Sequence, residues 1–420
     1  MAPPERSVPE ASGWDSALPT VGLLIPVTAD HYCEGAADLH LGDGFFRPAS
    51  RPSRDLGMLL ARMLAGQGPL RVLDGMAGCG IRALRYGLEA GASEVWANDA
   101  DPNRLPLLES NLQPLVGARV RTTALTAQAL LAGCLQRQER FELVDLDAFG
   151  CPTSLVPLAL EAVSFGGVLY LASTDGRSST GHDRSAAIRH WGAAARAHPA
   201  SWELALRLQL GAVARAAWAM GRGIEPLFSF SEGRTFRTAV RVVRLCASRE
   251  EEQLGLVALC HRCGDQQVQG LLRLRQWQPC CGGKGEAAGE PSPLAISGPL
   301  WIGPLQEPGL LDQMAALAME PGENPPEVSQ PAVGRVALKL LAALAADPGA
   351  PARCWPTADL ARRLKQGPPR LDLLVEALRS QGARAWPSGV MAGQLRSDAP
   401  WPQILQTARD LAARATATAR

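Results

Sequence analysis

The stretch LVDLDAFGCP, residues 143–152, ends an apolar run in Asp145 and Asp147 and follows them with Phe149 and Gly150. Carboxylates at the exit of a buried strand either cap the next helix or face a ligand. Upstream, VLDGMAGCGIR carries Asp74 at the end of another apolar run, then Gly75, Gly78 and Gly80. Glycines there let the backbone turn sharply and approach a ligand closely. Their order is G-x-x-G-x-G, not the dinucleotide fingerprint G-x-G-x-x-G, so a plain tight turn and a cofactor loop both stay open. Asp99 closes the next apolar run, 25 residues after Asp74. An acid there can accept from both ribose hydroxyls of an adenosine-containing cofactor, whereas Asp101 is the better placed helix N-cap. NAD and S-adenosylmethionine both satisfy this much.

DLDAFG separates them. A D-x-F stretch after a fourth strand resembles the D-P-P-[YFW] motif of amino methyltransferases. An exocyclic amine conjugated to a base is a poor nucleophile, because its lone pair is delocalised into the ring. A carboxylate and nearby carbonyls can accept the amine hydrogens, favour the reactive geometry and take the proton lost on methylation. An aromatic ring offers a stacking face to a base drawn out of its helix. Asp147 and Phe149 read as that acceptor and that ring, with strand-end acids beside a packed phenylalanine as the plainer alternative.

The elements that must position these groups follow a repeated pattern from about Leu70. LRVLD, SEVWAND, ARVRTTAL, FELVDLD and GGVLYLAST read as strands, and GIRALRYGLEAG, Pro102 to Leu112 and Ser154 to Val163 as helices between them. Alternating strand and helix predicts a largely parallel sheet covered on both faces, with its ligand site beyond the carboxyl ends of the strands. A long helix is expected from Trp202 to Met220. Arg207, Arg215 and Arg222 fall within roughly 80° of one another at about 100° per residue, a basic stripe or simply a solvated face.

At 420 residues the chain suits two or three domains. No apolar run approaches the roughly 20 residues that span a bilayer. MAPPERSVPEASGWDS lacks the basic segment and apolar core of a secretory signal. Ten cysteines without a small-domain disulfide spacing favour a reducing cytoplasm. The net charge of +1 announces no global basic field. Lys284, Lys339 and Lys365 are the lysines, and the remaining basic residues are arginines, as a GC-rich coding sequence or phosphate recognition would each favour.

In order along the chain, EGAADLHLGDGFFRP, SRDLG, DGMAGCGIRALRYGLE, WANDAD, DLDAFG, STD, RGIEPLFSFSEGRTFRTAVRV, CHRCG, GPLWIGPL and RSDAP resemble the tRNA (guanine-26-N2)-dimethyltransferase family over roughly residues 20 to 405. The resemblance implies an α/β fold, a Rossmann-like class I methyltransferase sheet with a smaller α+β C-terminal domain. It implies transfer of methyl groups from S-adenosylmethionine to guanine N2 of tRNA, to give N2-methyl- and N2,N2-dimethylguanosine. A non-catalytic tRNA-binding relative and an amino methyltransferase for another RNA or DNA base are the alternatives.

Carried over by position, Asp147 is the catalytic carboxylate, with Phe45 and Phe149 gripping the guanine. Arg54, Asp74, Gly78, Gly80, Arg82, Asp99, Thr123 and Ala124 make the cofactor site, Thr123 standing where the family has an acid for the adenine amine. Ala148 replaces the motif's proline, and Arg47, Gly233 to Thr235 and Gly389 are further departures. For RNA phosphates the candidates are Arg207, Arg215, Arg234 and Arg237. tRNA is the expected partner, with no membrane and no obligate protein partner.

Three segments are expected: 1–245 as the methyltransferase domain, 246–330 as a cysteine-containing junction with Gly-, Pro- and Glu-rich linkers, and 331–420 as the RNA-contacting C-terminal domain. In the last, helices near Val333 to Ala346, Ala358 to Lys365 and Leu371 to Ser380, then a ribbon from GARAWPSG, resemble a winged helix. Cys260, Cys263, Cys280 and Cys281 supply four thiols for a structural zinc. Side chains of adjacent Cys280 and Cys281 point apart in extended chain, so inert thiols are the other reading.

Overall fold

The computed structural model describes residues 31–43, 46–280, 293–319 and 332–418. Phe45 and Cys281, assigned above to the guanine site and the thiol cluster, lie outside the described residues. The chain opens with an antiparallel hairpin, β1 (His31–Glu34) and β2 (Ala37–His40), followed by α1 (Arg51–Ala65). The alternating part then runs β3 (Arg71–Asp74), α2 (Ile81–Leu88), β4 (Glu94–Asp99), α3 (Leu105–Leu112), β5 (Arg119–Ala124), α4 (Ala127–Arg137), β6 (Phe141–Asp147), α5 (Val156–Ala162) and β7 (Val163–Ser173). Helices α6 (Arg184–Trp191) and α7 (Ser201–Ala219) lead into a hairpin of β8 (Gly223–Glu232) and β9 (Thr235–Val243).

These strands form one seven-stranded sheet in the order β5-β4-β3-β6-β7-β9-β8, parallel through β7 and antiparallel beyond it. Successive residues alternate between its two faces. Val72, Val95, Leu143 and Tyr170 pack beneath α1 and α2, while Leu73, Trp96, Val144 and Leu171 pack beneath α4, α5 and α7. Burial on both faces explains why these strands read as nearly continuous apolar runs. Strand order reverses between β3 and β6, which opens a crevice at their carboxyl ends.

A second sheet, of β10 (Leu254–Leu259), β11 (Gln266–Gly270) and β12 (Ala295–Trp301), lies against the outer side of α7. Gly211 lets the two backbones meet: a Cβ there would sit 2.9 Å from the Leu300 Cα. This second cover corrects the expected basic stripe. Arg207 is 2 % exposed, paired with Glu203 at 2.8 Å and donating to the carbonyls of Trp301 and Gly303 at 3.1 and 3.0 Å. Arg215 donates to the carbonyls of Pro299 and Trp191, and Arg222 to that of Leu160. Buried carbonyls at the ends of neighbouring strands and helices need donors, and these arginines supply them.

Helices α8 (Pro308–Met319) and α9 (Arg335–Ala345) pack on α1 and share its core, so α9 joins the half that carries the large sheet by its packing. The remaining elements are β13 (Cys354–Pro356), α10 (Thr357–Leu364), α11 (Leu371–Ser380), β14 (Ala385–Pro387), β15 (Gln394–Ser397) and α12 (Trp401–Thr418). They have a separate core around Leu374, Leu378, Leu395 and a stacked pair of Trp355 and Trp401. Strand, two helices and a β14–β15 ribbon, with β13 completing the sheet, make a winged arrangement without the first helix expected in it, since the helix near Val333 to Ala346 is α9 and packs on α1. Arg396 of β15, wholly buried, joins this unit to the rest by pairing with Glu203 at 2.7 Å and Asp347 at 2.6 Å.

Candidate methyl-transfer site

A cavity of about 690 Å³ opens at the carboxyl ends of β3, β4 and β6. One wall is the turn from Gly75 to Gly80. Gly78 and Gly80 have φ of 56° and 85°, the left-handed region where a side chain is strained. The Gly78 amide donates to Asp99 Oδ2 at 3.0 Å, and the Asp101 amide to Asp99 Oδ1 at 3.0 Å. Both bonds fix the Asp99 carboxylate at the cavity wall with lone pairs left to accept. Asp101 caps the turn after it through the Asn103 amide, so Asp101 does the capping while Asp99 is fixed at the cavity wall.

Asp145 and Asp147 lie two residues apart, hence on the same face of β6, under α1 and α2. The register matches Asp147 with Ala172 and Ala172 with Arg237. Because Ala172 is small, the Arg237 guanidinium reaches across β7 to within 2.7 Å of Asp147 and 3.2 Å of Asp145. Arg82, in the first turn of α2, meets the same two carboxylates at 3.3 and 3.5 Å and donates to Ser53 Oγ at 2.9 Å. Partial burial would raise the Asp147 pKa, but Arg237 and then Arg82 outweigh it and hold the carboxyl below the usual carboxylate range. Its side chain stays 37 % exposed, towards the cavity.

Arg237, assigned above to phosphate contact, is 1 % exposed and belongs to this centre. Its sequence context, TFRTAVRV, is that of a charged edge strand, and only the register with Ala172 reveals the pairing. Tyr86 donates to Asp145 Oδ2 at 2.6 Å, another contact that pattern alone does not disclose.

Asp74 also differs from expectation. It is matched with Asp145 in the sheet and completely buried behind the cavity wall, so it does not face a cofactor. Burial, reinforced by Asp145, pushes its pKa up to about 8 against the pull of Arg82. Thr123 and Ala124 stand off the cavity too. Thr123 Oγ1 donates to Asn98 Oδ1 and accepts from Trp96 Nε1, both at 2.8 Å, and the wall there is made by Thr126, Ala127 and Gln128.

Phe149 follows on a loop clamped to β7: the Gly150 amide donates to Thr174 Oγ1 at 2.7 Å, and Ser173 Oγ donates to the Gly150 carbonyl at 2.9 Å. Its ring is 74 % exposed at the cavity rim. Arg54 lines the opposite side, held by Glu34 at 2.6 Å and lying 5.1 Å from the Phe46 ring. Arg234 is exposed in the β8–β9 turn, while Thr235 lines the cavity beside it.

The thiols gather away from this cavity. Sγ atoms of Cys260, Cys263 and Cys280 lie within 4.8 Å of one another. The Asp265 amide donates to Cys263 Sγ at 3.4 Å, a bond that favours a thiolate ligand, so the donor set fits zinc. Trp355 and Trp401 donate to the carbonyls of Gly264 and Cys263, which ties this turn to the C-terminal unit.

The family model for N2,N2-dimethylguanosine tRNA methyltransferase matches residues 40–409. The tRNA (guanine(26)-N(2))-dimethyltransferase of Methanoregula boonei is 29 % identical over 401 residues, covering 93 % of this chain and 96 % of that protein. Its counterpart from Methanosphaerula palustris is 30 % identical over 369 residues, covering 86 % and 90 %. Among solved structures, Trm1 from Pyrococcus horikoshii in complex with S-adenosyl-L-methionine shares the fold with a TM-score of 0.75 at 23 % identity, over 90 % of this chain and 99 % of that one.

Proposed function

The chain belongs to the N2,N2-dimethylguanosine tRNA methyltransferase family, and from that premise we propose that its cavity binds S-adenosylmethionine and methylates guanine N2 in tRNA, at position 26 as the named relatives do. The observation that carries this reading is the ionised Asp147, set between Arg237 and Arg82 at the rim that Phe149 shares. Bound there, S-adenosylmethionine supplies an activated methyl group, and one N–C bond forms as one S–C bond breaks and the amine loses a proton.

Asp99 takes the ribose hydroxyls, and the Gly75 to Gly80 turn lets the nucleoside lie close to the backbone. Arg54 faces the methionyl carboxylate from the opposite wall. Asp147 accepts an N–H of the guanine amine, turning the nitrogen lone pair towards the methyl donor, while Phe149 stacks on the base. Phe45 is assigned to the other face of the base. Arg47 and Arg234, at the mouth, suit the flanking phosphates.

The methyltransferase domain and the winged C-terminal unit together receive the tRNA, with the thiol turn as a zinc-braced joint between them. No helix among the described residues is long and apolar enough to cross a membrane, and tRNA as substrate goes with a cytoplasmic location.

Incubation with S-adenosylmethionine and unmodified tRNA, followed by nucleoside analysis, tests the reading. N2-methyl- and N2,N2-dimethylguanosine at position 26 is the expected product. Methylguanosine elsewhere would move the target, and no transfer to any tRNA would overturn the assignment.

A further inference from the structure

On the outer face of the first hairpin, the register pairs His31 with His40 and Cys33 with Asp38. With a side-chain period of two, all four point to one side of the ribbon, and the opposite parity is buried through Glu34, Ala37 and Leu39. Donor atoms of His31, Cys33 and Asp38 lie within 4.8 Å of one another, with Cys33 Sγ 3.2 Å and His31 Nε2 2.8 Å from Asp38 Oδ1. The His40 ring stands edge-on to His31, 5.2 Å between centroids. Two imidazoles, a thiol and a carboxylate are a nitrogen, sulfur and oxygen set suited to zinc.

We propose that the outer face of this hairpin is a zinc site formed by His31, Cys33, Asp38 and His40. Tetrahedral coordination, with bonds of about 2.0 Å to nitrogen or oxygen and about 2.3 Å to sulfur, puts ligand atoms about 3.5 Å apart, close to the spacing already present among His31, Cys33 and Asp38, and His40 completes the set by turning its ring towards them. The backbone is held in place from behind. Asn111 accepts from the His40 amide at 3.1 Å and donates to its carbonyl at 2.7 Å. Glu34, on the inner face, binds both Arg54 and Arg85. Metal binding displaces the Cys33 thiol proton and cross-links the two strands. Because Glu34 also holds Arg54 at the cavity wall, the metal braces the hairpin that orders that wall.

The test reads Cys33 itself, so binding at the separate cluster of Cys260, Cys263 and Cys280 does not confuse it. Full-length protein, freed of loosely held metal with a mild chelator, is alkylated with iodoacetamide with and without added Zn2+. Modification of Cys33 is followed by peptide mass spectrometry. Zinc is expected to slow alkylation at Cys33 by about tenfold or more, because a metal-bound thiolate has little free nucleophilicity. His31→Ala and His40→Ala, both at exposed positions, are expected to abolish that protection with the far-UV spectrum unchanged. Equal alkylation with and without zinc would overturn the proposal, as would protection that persists in the doubly substituted variant.

Discussion

Asp74→Asn should change how stability depends on pH, with a slope that can be stated in advance. Asp74, Asp145 and Asp147 share one sheet face with Arg82 and Arg237. Three acids against two fixed cations leave one carboxyl in excess, and the arginines pair with Asp145 and Asp147, so Asp74 is the one that keeps its proton. Burial first, and Asp145 beside it second, raise the Asp74 pKa from 3.8 to about 8. Between those values the folded state binds one proton that the unfolded state does not. The stabilisation is therefore full below about pH 4 and lost as pH rises through about 8. One proton corresponds to about 1.4 kcal/mol per pH unit, whatever the exact upper value. Asparagine keeps the shape and cannot ionise, so its stability relative to wild type should rise by about 2.7 kcal/mol between pH 5 and pH 7. Urea unfolding at constant ionic strength, followed by tryptophan fluorescence, measures the difference. Parallel pH profiles for the two proteins would mean that Asp74 ionises like an ordinary carboxyl, and the charge accounting above would fail.

Asp147→Asn should lower methyl transfer by about 10²- to 10⁴-fold, with S-adenosylmethionine affinity, read by calorimetry, within a few-fold of wild type. Arg237→Gln leaves buried Asp145 short of a partner and should cost about 3–5 kcal/mol in unfolding experiments. It should also move the acid limb of the rate profile upward, since the cation that chiefly depresses Asp147 is gone. Arg396→Met strands Asp347 and leaves Glu203 to Arg207 alone, with a loss of similar size, about 3–5 kcal/mol, and tRNA affinity should fall more than cofactor affinity. Metal analysis should find zinc at the cluster of Cys260, Cys263 and Cys280; its removal should weaken tRNA binding and leave cofactor binding intact.

Much of this architecture is legible in the sequence, for reasons that particular residues make clear. Strands β3, β4, β6 and β7 are buried on both faces, so Leu73, Val95, Val144 and Leu171 stand in apolar runs that no surface strand would carry. The glycine turn and Asp99 are local in the chain, and pattern reading finds them. What escapes is whatever depends on register or on a second cover. Arg207 has the same helical phase whether its face meets water or β12, and sequence period cannot distinguish the two. Arg237 reaches Asp147 only because Ala172 lies between them. Asp74 reads as a ligand-facing acid until its pairing with Asp145 places it behind the wall. Thr123 ends a strand as an adenine contact would, yet Asn98 and Trp96 engage its hydroxyl.

In the reaction proposed above, the two arginines around Asp147 fit the chemistry of the amine. A carboxyl whose pKa they depress is a weak base, unable to deprotonate a neutral arylamine before methylation. It does not have to. The amine hydrogens become strongly acidic only as the N–C bond forms and positive charge develops on nitrogen, and a weak base suffices at that stage. What the reaction needs beforehand is orientation, and orientation requires a carboxylate that is always ionised and fixed in direction. Arg237 and Arg82 supply both conditions, trading basicity for constancy. The loop that carries Phe149 obeys the same logic in the proposed reaction: the Gly150 amide bond to Thr174 fixes its backbone before any base arrives, so stacking would align the amine with an acceptor already in position.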